Sequence, residues 1–305
     1  KFIISGAGGW IGTATLDLLN QKIPHLSKRT YCFGSKKKDI HLLDGSVIKQ
    51  NPLSEIKFLK SDENYVMFNF AFLTPDKLKK ENLSNYLKIN RDISKTLFRE
   101  AKRLKIQNIA TISSGSVYQK DSSLHSKVER NPYGVLKLEE ENLFSSLAEK
   151  GSCVVIPRVF NISGPYLSNF DLYMLSSLIK QATLGKEIEI KSAYKVVRSF
   201  VSIAELISII LGIFNKEKGG KTFVFDTAGE AELEIGELAL KVKKQLNSGA
   251  KIFRPELSKA KTEDRYIGNR QKYLTFLEKY NIPSISIDDQ ILCTYEYMKP
   301  FITGK

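Results

Sequence analysis

Lys1-Phe-Ile-Ile-Ser-Gly6-Ala-Gly-Gly9-Trp10-Ile11-Gly12 is the stretch whose reading decides the fold. An apolar strand, Phe2 to Ile4, runs into glycines spaced Gly6-x-x-Gly9-x-x-Gly12, and a helical pattern with Leu16, Leu18 and Leu19 follows. Strand, glycine turn and helix in that order form the context of a dinucleotide-binding turn. Glycines permit a tight turn and a close backbone approach to a pyrophosphate, and N–H groups at the helix start receive its charge. Gly6, Gly9, Trp10, Ile11 and Gly12 are therefore expected to contact a dinucleotide. A plain glycine-rich turn is the alternative, and the flanking strand and helix argue against it.

Two further segments bring chemistry to this turn. Ile112-Ser-Ser114-Gly-Ser-Val-Tyr118 follows an apolar run, Ile106 to Ile112, that reads as a strand. Pro132-Tyr133-Gly-Val-Leu-Lys137 opens a helical stretch reaching about Lys150. Tyr133 and Lys137, four apart, share one helix face. A cation beside a phenol favours its phenolate form. A serine hydroxyl, here Ser114, can hold a carbonyl oxygen while Tyr133 exchanges a proton with it, and hydride transfer to or from a nicotinamide needs those parts. The bare Tyr-x-x-x-Lys pattern is weak, because about one or two such pairs arise by chance at this composition. A second copy, Tyr295/Lys299, has no serine-bearing strand before it and reads as ordinary amphipathic helix.

Strand and helix patterns alternate along the chain, which predicts an α/β fold, a Rossmann-type doubly wound parallel sheet with a smaller C-terminal substrate-binding lobe. Expected strands are Thr30 to Phe33, Tyr65 to Phe72, Ile106 to Ile112, Ser152 to Val159, Glu187 to Ile190 and Thr222 to Asp226. Helices are expected over Leu83 to Leu104 and near Leu172 to Leu184, whereas Ile40 to Asp62 shows no assignable pattern. The predicted division is a dinucleotide-binding domain over 1–163, with 199–226 partly returning to it, and a substrate-binding lobe over 164–198 and 227–305. No internal repeat or low-complexity tract is present.

In their order these segments resemble the extended short-chain dehydrogenase/reductases, the nucleotide-sugar epimerases, dehydratases and reductases. Ser5 to Gly12 looks like that family's opening, Asn69-Phe-Ala71-Phe72 like its cofactor-contacting strand end, and Asn90 matches a structural helix asparagine. Ser114, Tyr133 and Lys137 align with its catalytic residues. Pro157-Arg158-Val-Phe-Asn161-Ile-Ser-Gly164-Pro165 looks like its strand into the substrate loop, and Val197-Arg198 to Leu206 like its segment bearing a pyrophosphate-binding arginine. The resemblance implies that Ala71, Tyr133 and Lys137 touch the cofactor. It also implies that Asn161, Arg198 and Arg265 hold a nucleotide-diphosphate sugar. Asp264-Arg265-Tyr266 further resembles members acting in O-antigen and polysaccharide biosynthesis.

The end of the second strand bears on cofactor choice, because a carboxylate there binds the ribose 2′-hydroxyl of NAD. This chain reads Phe33-Gly34-Ser35-Lys36-Lys37-Lys38, with no carboxylate before Asp39. A hydroxyl and lysines suit a 2′-phosphate, so NADP is expected through Ser35, Lys36 and Lys37, with NAD held by other contacts as the alternative. Family dehydratases resemble one another in placing Asp-Glu directly after the catalytic hydroxyl residue; this chain has Gly115-Ser116. Dehydration is thereby disfavoured, and an NADP(H)-dependent reductase or dehydrogenase acting on a keto group of a nucleotide-linked sugar is expected. A nucleotide-sugar 4-epimerase with retained NAD and a non-catalytic cofactor- or RNA-binding member are the alternatives.

The 305 residues carry a net charge of +14. With 37 lysines spread along the chain against 10 arginines, the charge reads as a lysine-rich solvated surface. Nucleic-acid contacts favour arginine for bidentate recognition. No apolar run approaches the roughly 20 residues of a membrane span, and no signal peptide is read ahead of the first strand. Cys32, Cys153 and Cys293 are odd in number and far apart, which suggests reduced thiols and a cytoplasmic setting. Three scattered histidines and no Cys/His cluster predict no metal site. A homodimer is left open.

Overall fold

Phe2–Ser5 (β1) has no polar side chain before its last residue, and Ile3 and Ile4 are fully buried. That is the signature of a strand covered on both faces, as in a parallel sheet wound by helices. The computed structural model describes residues 1–79, 82–119, 122–125, 127–185, 187–258 and 262–304. They separate into unit 1, Lys1–Val159 with Ile210–Phe225, and unit 2, Phe160–Ile209 with Asp226–Lys305. The break thus falls at 159/160 rather than 163, and the returning segment begins at 210 rather than 199.

In unit 1, β1 is joined by β2 (Thr30–Gly34), β3 (Lys38–His41), β4 (Val47–Pro52), β5 (Val66–Asn69), β6 (Asn108–Thr111), β7 (Ser113–Ser114) and β8 (Cys153–Val159). With the strand Lys221–Asp226 they form one nine-stranded sheet. From that last strand the order is β8, β6, β5, β1, β2, β4, β3, with β7 beside β8. β1 pairs in parallel with both β2 and β5, so the strand order reverses there. Ligands of such sheets bind outside the carboxyl ends of the strands at a reversal of this kind. Helix α1 (Trp10–Lys22) joins β1 to β2, α2 (Leu83–Arg103) lies between β5 and β6, and α3 (Pro132–Ser145) leads from the serine strand to β8.

The stretch from Ile40 to Asp62 becomes the end of β3, antiparallel to β4 at the sheet edge, then β4 and a 3₁₀ turn, Leu53–Phe58. Only Ile40 of β3 and Ile48 and Gln50 of β4 are buried, so no apolar run marks these strands. β5 is shorter than expected because its ladder ends at Asn69, whose side chain turns the chain by accepting from the Ala71 N–H at 3.2 Å. The core beneath the sheet gathers Ile3, Phe33, Met67, Leu97, Ile109 and Phe144.

Unit 2 has its own core, in which α4 (Met174–Thr183), α6 (Ile235–Gln245) and α8 (Ile287–Thr303) pack on one another through Leu178, Ile179, Leu238, Val242, Ile291 and Met298. Helix α5 (Ile203–Lys216) starts in this unit, and α7 (Arg270–Tyr280) belongs to it. Val196–Arg198 is the middle strand of three, antiparallel to Leu233–Glu234 and parallel to Asp264–Tyr266. Tyr295 and Lys299 lie on α8, the lysine 5.6 Å from the tyrosine ring centroid. Among the described residues no helix is long and apolar enough to cross a membrane. All three cysteines are free, and burial pushes the Cys32 thiol up to about 12.

Candidate active site

The glycine turn explains its own composition. Gly6 has φ +70°, and a Cβ there would lie 2.6 Å from the Phe70 carbonyl carbon. At Gly12, inside α1, a Cβ would come within 2.3 Å of the Gly6 carbonyl oxygen, so only glycine lets the helix start this close to the turn. Gly9 is the N-cap of α1; no side chain caps that end, and its first turn holds no acidic residue. Such a terminus suits an anion.

Beside this turn lies a corner that holds the end of β2. Gln50 of β4 is buried; its Oε1 accepts from the Gly8 N–H at 2.8 Å and its Nε2 donates to the Lys36 carbonyl at 2.9 Å. A Cβ at Gly34 would meet the Gln50 amide carbon at 2.4 Å. Lys38 Nζ reaches the Gly8 carbonyl at 3.4 Å. Ser35, Lys36 and Lys37 are exposed. Sequence reading had not singled out Gln50, which lies in the stretch without a recognisable pattern.

Asn69, at the end of β5, ties the sheet to α3. Its Oδ1 accepts from Ser5 Oγ at 2.8 Å, and its Nδ2 donates to Thr111 Oγ1 at 2.9 Å and Glu140 Oε1 at 3.0 Å. Asn90 on α2 accepts from the Leu73 N–H at 2.7 Å and so fastens the loop after β5.

Ser114 is buried on β7, and its hydroxyl accepts from the Ser116 N–H at 3.1 Å. Asn131 caps α3 by accepting from the Gly134 N–H at 2.9 Å, and its Nδ2 donates to the Ser116 carbonyl at 2.7 Å. The helix that carries Tyr133 is thereby fastened to the turn that follows Ser114. The Tyr133 ring meets Phe72 edge-on, with centroids 5.7 Å apart.

Lys137 is buried too. Its Nζ donates to the Ile112 carbonyl and to Glu140 Oε2, each at 2.8 Å, and stands 3.7 Å from the Phe72 ring centroid. Lys137 and Tyr133 therefore flank one ring, and the lysine shares its charge with Glu140, a partner the sequence reading did not name. The i, i+3 spacing from Lys137 on a helix was the available signal. The neighbouring Glu141 accepts from Arg158 Nε at 2.9 Å, Arg158 Nη2 at 2.7 Å and Ser113 Oγ at 2.5 Å. Burial works against the Arg158 charge, but the Glu141 hydrogen bonds and charge outweigh it and hold the guanidinium above its ordinary value.

The three residues expected to hold substrate lie in unit 2 and are engaged there. Asn161 Nδ2 donates to the Ser199 carbonyl at 3.0 Å and the Tyr266 carbonyl at 3.3 Å. Arg198 donates to Asp264 Oδ2 at 2.8 Å and to the Asp264 carbonyl at 2.9 Å. Arg265, more exposed, pairs with Glu263 at 2.7 Å and also with Glu232. An anion reaching Arg265 would have to compete with two carboxylates.

Known proteins agree with this architecture. The profile of the NAD dependent epimerase/dehydratase family matches residues 2–225. UDP-glucuronic acid decarboxylase 3 of Arabidopsis thaliana is 26% identical over 290 residues, covering 86% of this chain and 82% of its own. The UDP-N-acetyl-alpha-D-glucosaminuronate decarboxylase of Bacillus cytotoxicus is 21% identical over 270 residues, covering 83% and 82%. Among solved structures, UDP-glucose 4-epimerase of Thermotoga maritima superposes with a TM-score of 0.74 at 16% identity, covering 99% of each chain. UDP-glucuronic acid 4-epimerase of Bacillus cereus, in complex with NAD, gives 0.72 at 20% identity, covering 100% of this chain and 98% of its own. The glycine turn, the serine strand and the tyrosine helix thus stand in a chain that belongs to the NAD dependent epimerase/dehydratase family, enzymes of the extended short-chain dehydrogenase/reductase type that modify nucleotide sugars.

Proposed function

We propose that this enzyme is an NADP(H)-dependent reductase or dehydrogenase acting on a keto group of a nucleotide-linked sugar. One observation carries the reading: Tyr133 and Lys137 flank Phe72 on α3, and Asn131 fastens the start of that helix to the turn after Ser114. The residues of unit 1 fit a dinucleotide. The turn leaves no room for a side chain at Gly6 or Gly12, and no side chain caps the α1 terminus. Gly6, Gly9, Trp10, Ile11 and Gly12 would hold its pyrophosphate, and Ala71, Tyr133 and Lys137 its nicotinamide half. When bound, the nicotinamide supplies or accepts the hydride. Ser114 holds the sugar oxygen by its hydroxyl, Tyr133 moves a proton to or from that oxygen, and Lys137 keeps a positive charge beside the phenol. Asn161 and Arg198 bind the nucleotide diphosphate, with Arg265 contributing once its glutamates yield.

NADP is preferred because the second strand ends without a carboxylate, at Gly34, which packs against the side-chain amide of Gln50. Lys38 adds its charge over the glycine turn, alongside the exposed Ser35, Lys36 and Lys37. A second reading, an internal redox cycle on a UDP-linked sugar with NAD retained, as in a 4-epimerase, draws support from the names of the relatives. The test follows NADPH absorbance with a panel of keto-sugar nucleotides, alongside product analysis. Net NADPH consumption with a new hydroxyl supports the reductase. An altered sugar without consumption selects the second reading. No turnover of any sugar nucleotide refutes both.

A further inference from the structure

The lysines are scattered along the chain, but the topology of unit 1 collects a row of them. Parallel strands place the segments that precede them at one end of the sheet, opposite the glycine turn and Ser114. Lys28 and Arg29 precede β2, Lys60 precedes β5, Lys105 precedes β6, Lys150 precedes β8 and Lys218 precedes the strand Lys221–Asp226; all six are exposed. Backbone hydrogen bonds fix these segments side by side. The Phe2 N–H donates to the Arg29 carbonyl at 2.8 Å, the Cys153 N–H to the Gln107 carbonyl at 2.7 Å and the Gly220 N–H to the Ser152 carbonyl at 3.0 Å. The six strands from Lys221–Asp226 to β2 lie about 4.8 Å apart, so the row runs about 24 Å across this face. The exposed acids in the same segments are Asp62 and Glu149, whereas Glu63, Glu100 and Glu217 pair with Lys1, Arg103 and Lys221.

Helix dipoles account for Lys22 and Lys102 in the last turns of α1 and α2, but the six stand beyond the ends of the α-helices. Lys150 lies beside Lys102 and holds that ammonium below its ordinary pKa, a repulsion that a bound anion relieves. Phe58 belongs to the same rim. It is 73% exposed, with Lys57 Nζ 5.1 Å from its ring centroid. Arg103, at the end of α2, donates to the Leu59 carbonyl at 3.0 Å and the Ile56 carbonyl at 3.4 Å, and so holds this turn beside that helix end.

We propose that this face of unit 1 docks the protein on an anionic lipid surface, with the ammonium groups against the headgroups and the Phe58 ring entering among them. Lysine outnumbers arginine five to one in the row. A diffuse negative surface asks for charge rather than for the bidentate geometry that nucleic acid draws from arginine. An exposed aromatic ring flanked by cations supplies the apolar part of such an anchor. The glycine turn and Ser114 stand at the carboxyl ends of the same strands, so docking turns them away from the lipid.

Sedimentation with vesicles of phosphatidylcholine and phosphatidylserine in equal parts, against vesicles of phosphatidylcholine alone, tests it. The protein should bind the mixed vesicles and not the neutral ones, and added salt should release it. Each lysine near such a surface strengthens binding about fivefold, so Lys60→Ala, Lys105→Ala and Lys150→Ala together should weaken it about 10²-fold. Lys251, Lys272 and Lys279 are exposed in unit 2, and replacing those three by alanine removes the same charge; that variant should retain most of the binding. Phe58→Ala should lose about tenfold. Phe58→Trp emission should shift to the blue on mixed vesicles, taken as the difference from the wild type, whose single tryptophan is Trp10. That readout leaves every lysine in place, so it decides even if the first triple variant does not fold. Equal losses in the two triple variants would overturn the proposal, because net charge alone would then suffice. So would vesicle binding that Phe58→Ala leaves unchanged, an unshifted Phe58→Trp emission, or no vesicle binding at all. Binding of poly(U) RNA through the same lysines without vesicle binding would overturn it in favour of a nucleic acid. None of these readouts needs turnover, so the result stands apart from the reductase reading.

Discussion

Cofactor choice can be moved by two substitutions that only this structure suggests together. Gly34 has no positive φ, so its backbone accepts a side chain; the obstacle is Gln50, 2.4 Å from the position of a Cβ. Gly34→Asp alone should therefore destabilise the protein by about 1–3 kcal/mol through overpacking. Adding Gln50→Ala removes the obstacle at the cost of two hydrogen bonds, to the Gly8 N–H and the Lys36 carbonyl. Each such bond contributes about 1 kcal/mol net. In the double variant the new carboxylate stands where it can accept from the ribose hydroxyls of NADH and repel a 2′-phosphate. Charge-assisted bonds contribute about 1.5–3 kcal/mol, roughly 10- to 150-fold in affinity. The ratio of NADPH to NADH affinity should fall by about that factor or more, read by nucleotide fluorescence titration of both cofactors. An unchanged ratio in a folded double variant would refute the assignment of this corner, and so would native preference for NADH.

Three shorter expectations accompany it. Tyr133→Phe should lower kcat by about 10²- to 10⁴-fold with NADPH affinity within a factor of about two of wild type, because the lost hydroxyl acts mainly in the transition state; equal turnover would remove Tyr133 from the chemistry. Arg158→Ala leaves the buried Glu141 unpaired and should cost about 3–5 kcal/mol in urea unfolding, and Glu141→Met with Arg158→Met should lose less; a change below about 1 kcal/mol for Arg158→Ala contradicts the argument. Glu205, buried in unit 2, accepts from Tyr273 Oη and the Ile285 N–H, each at 2.6 Å, yet burial holds its carboxyl above the usual 4.5. The folded state then keeps this proton longer than the unfolded chain. Its contribution is therefore complete below about 4.5 and is lost as pH rises through the elevated folded value. Glu205→Gln should flatten that decline in thermal melts, and parallel wild-type and variant curves would exclude it.

The sheet and its three chemistry-bearing segments were legible because each carries a local pattern: consecutive buried residues in β1 and β5, a glycine spacing, and a capped helix opening with Pro132. β3 and β4 were not, since an edge hairpin with three buried side chains has no continuous apolar signal. The same blind spot hid Gln50, whose importance comes from pairing with β2 across the sheet. Glu140 and Glu141 sit in an acidic run, Leu138-Glu-Glu-Glu-Asn142, that names no partner by itself, and α3 turns them toward Lys137 and Arg158. Arg198 and Arg265 drew attention by their charge; Glu263 stands two positions from Arg265, whereas Glu232 and Asp264 lie 33 and 66 positions from the arginines they pair with and could not be read locally.

Ser5, Asn69 and Thr111 are direct register partners on β1, β5 and β6. Parallel strands built from Phe, Ile, Val and Met have interchangeable surfaces, and hydrophobicity alone would let one slide along another. The polar rung makes sliding expensive: a slip of one position separates three buried groups from their partners, at about 1–3 kcal/mol for each one left unsatisfied. The rung acts as an alignment pin, set one residue before the glycine turn begins and two before the serine pair. Strands that fold around it deliver the glycine turn and the serine-bearing turn at the same height, so the relative placement of the two turns is fixed by three small side chains that belong to neither.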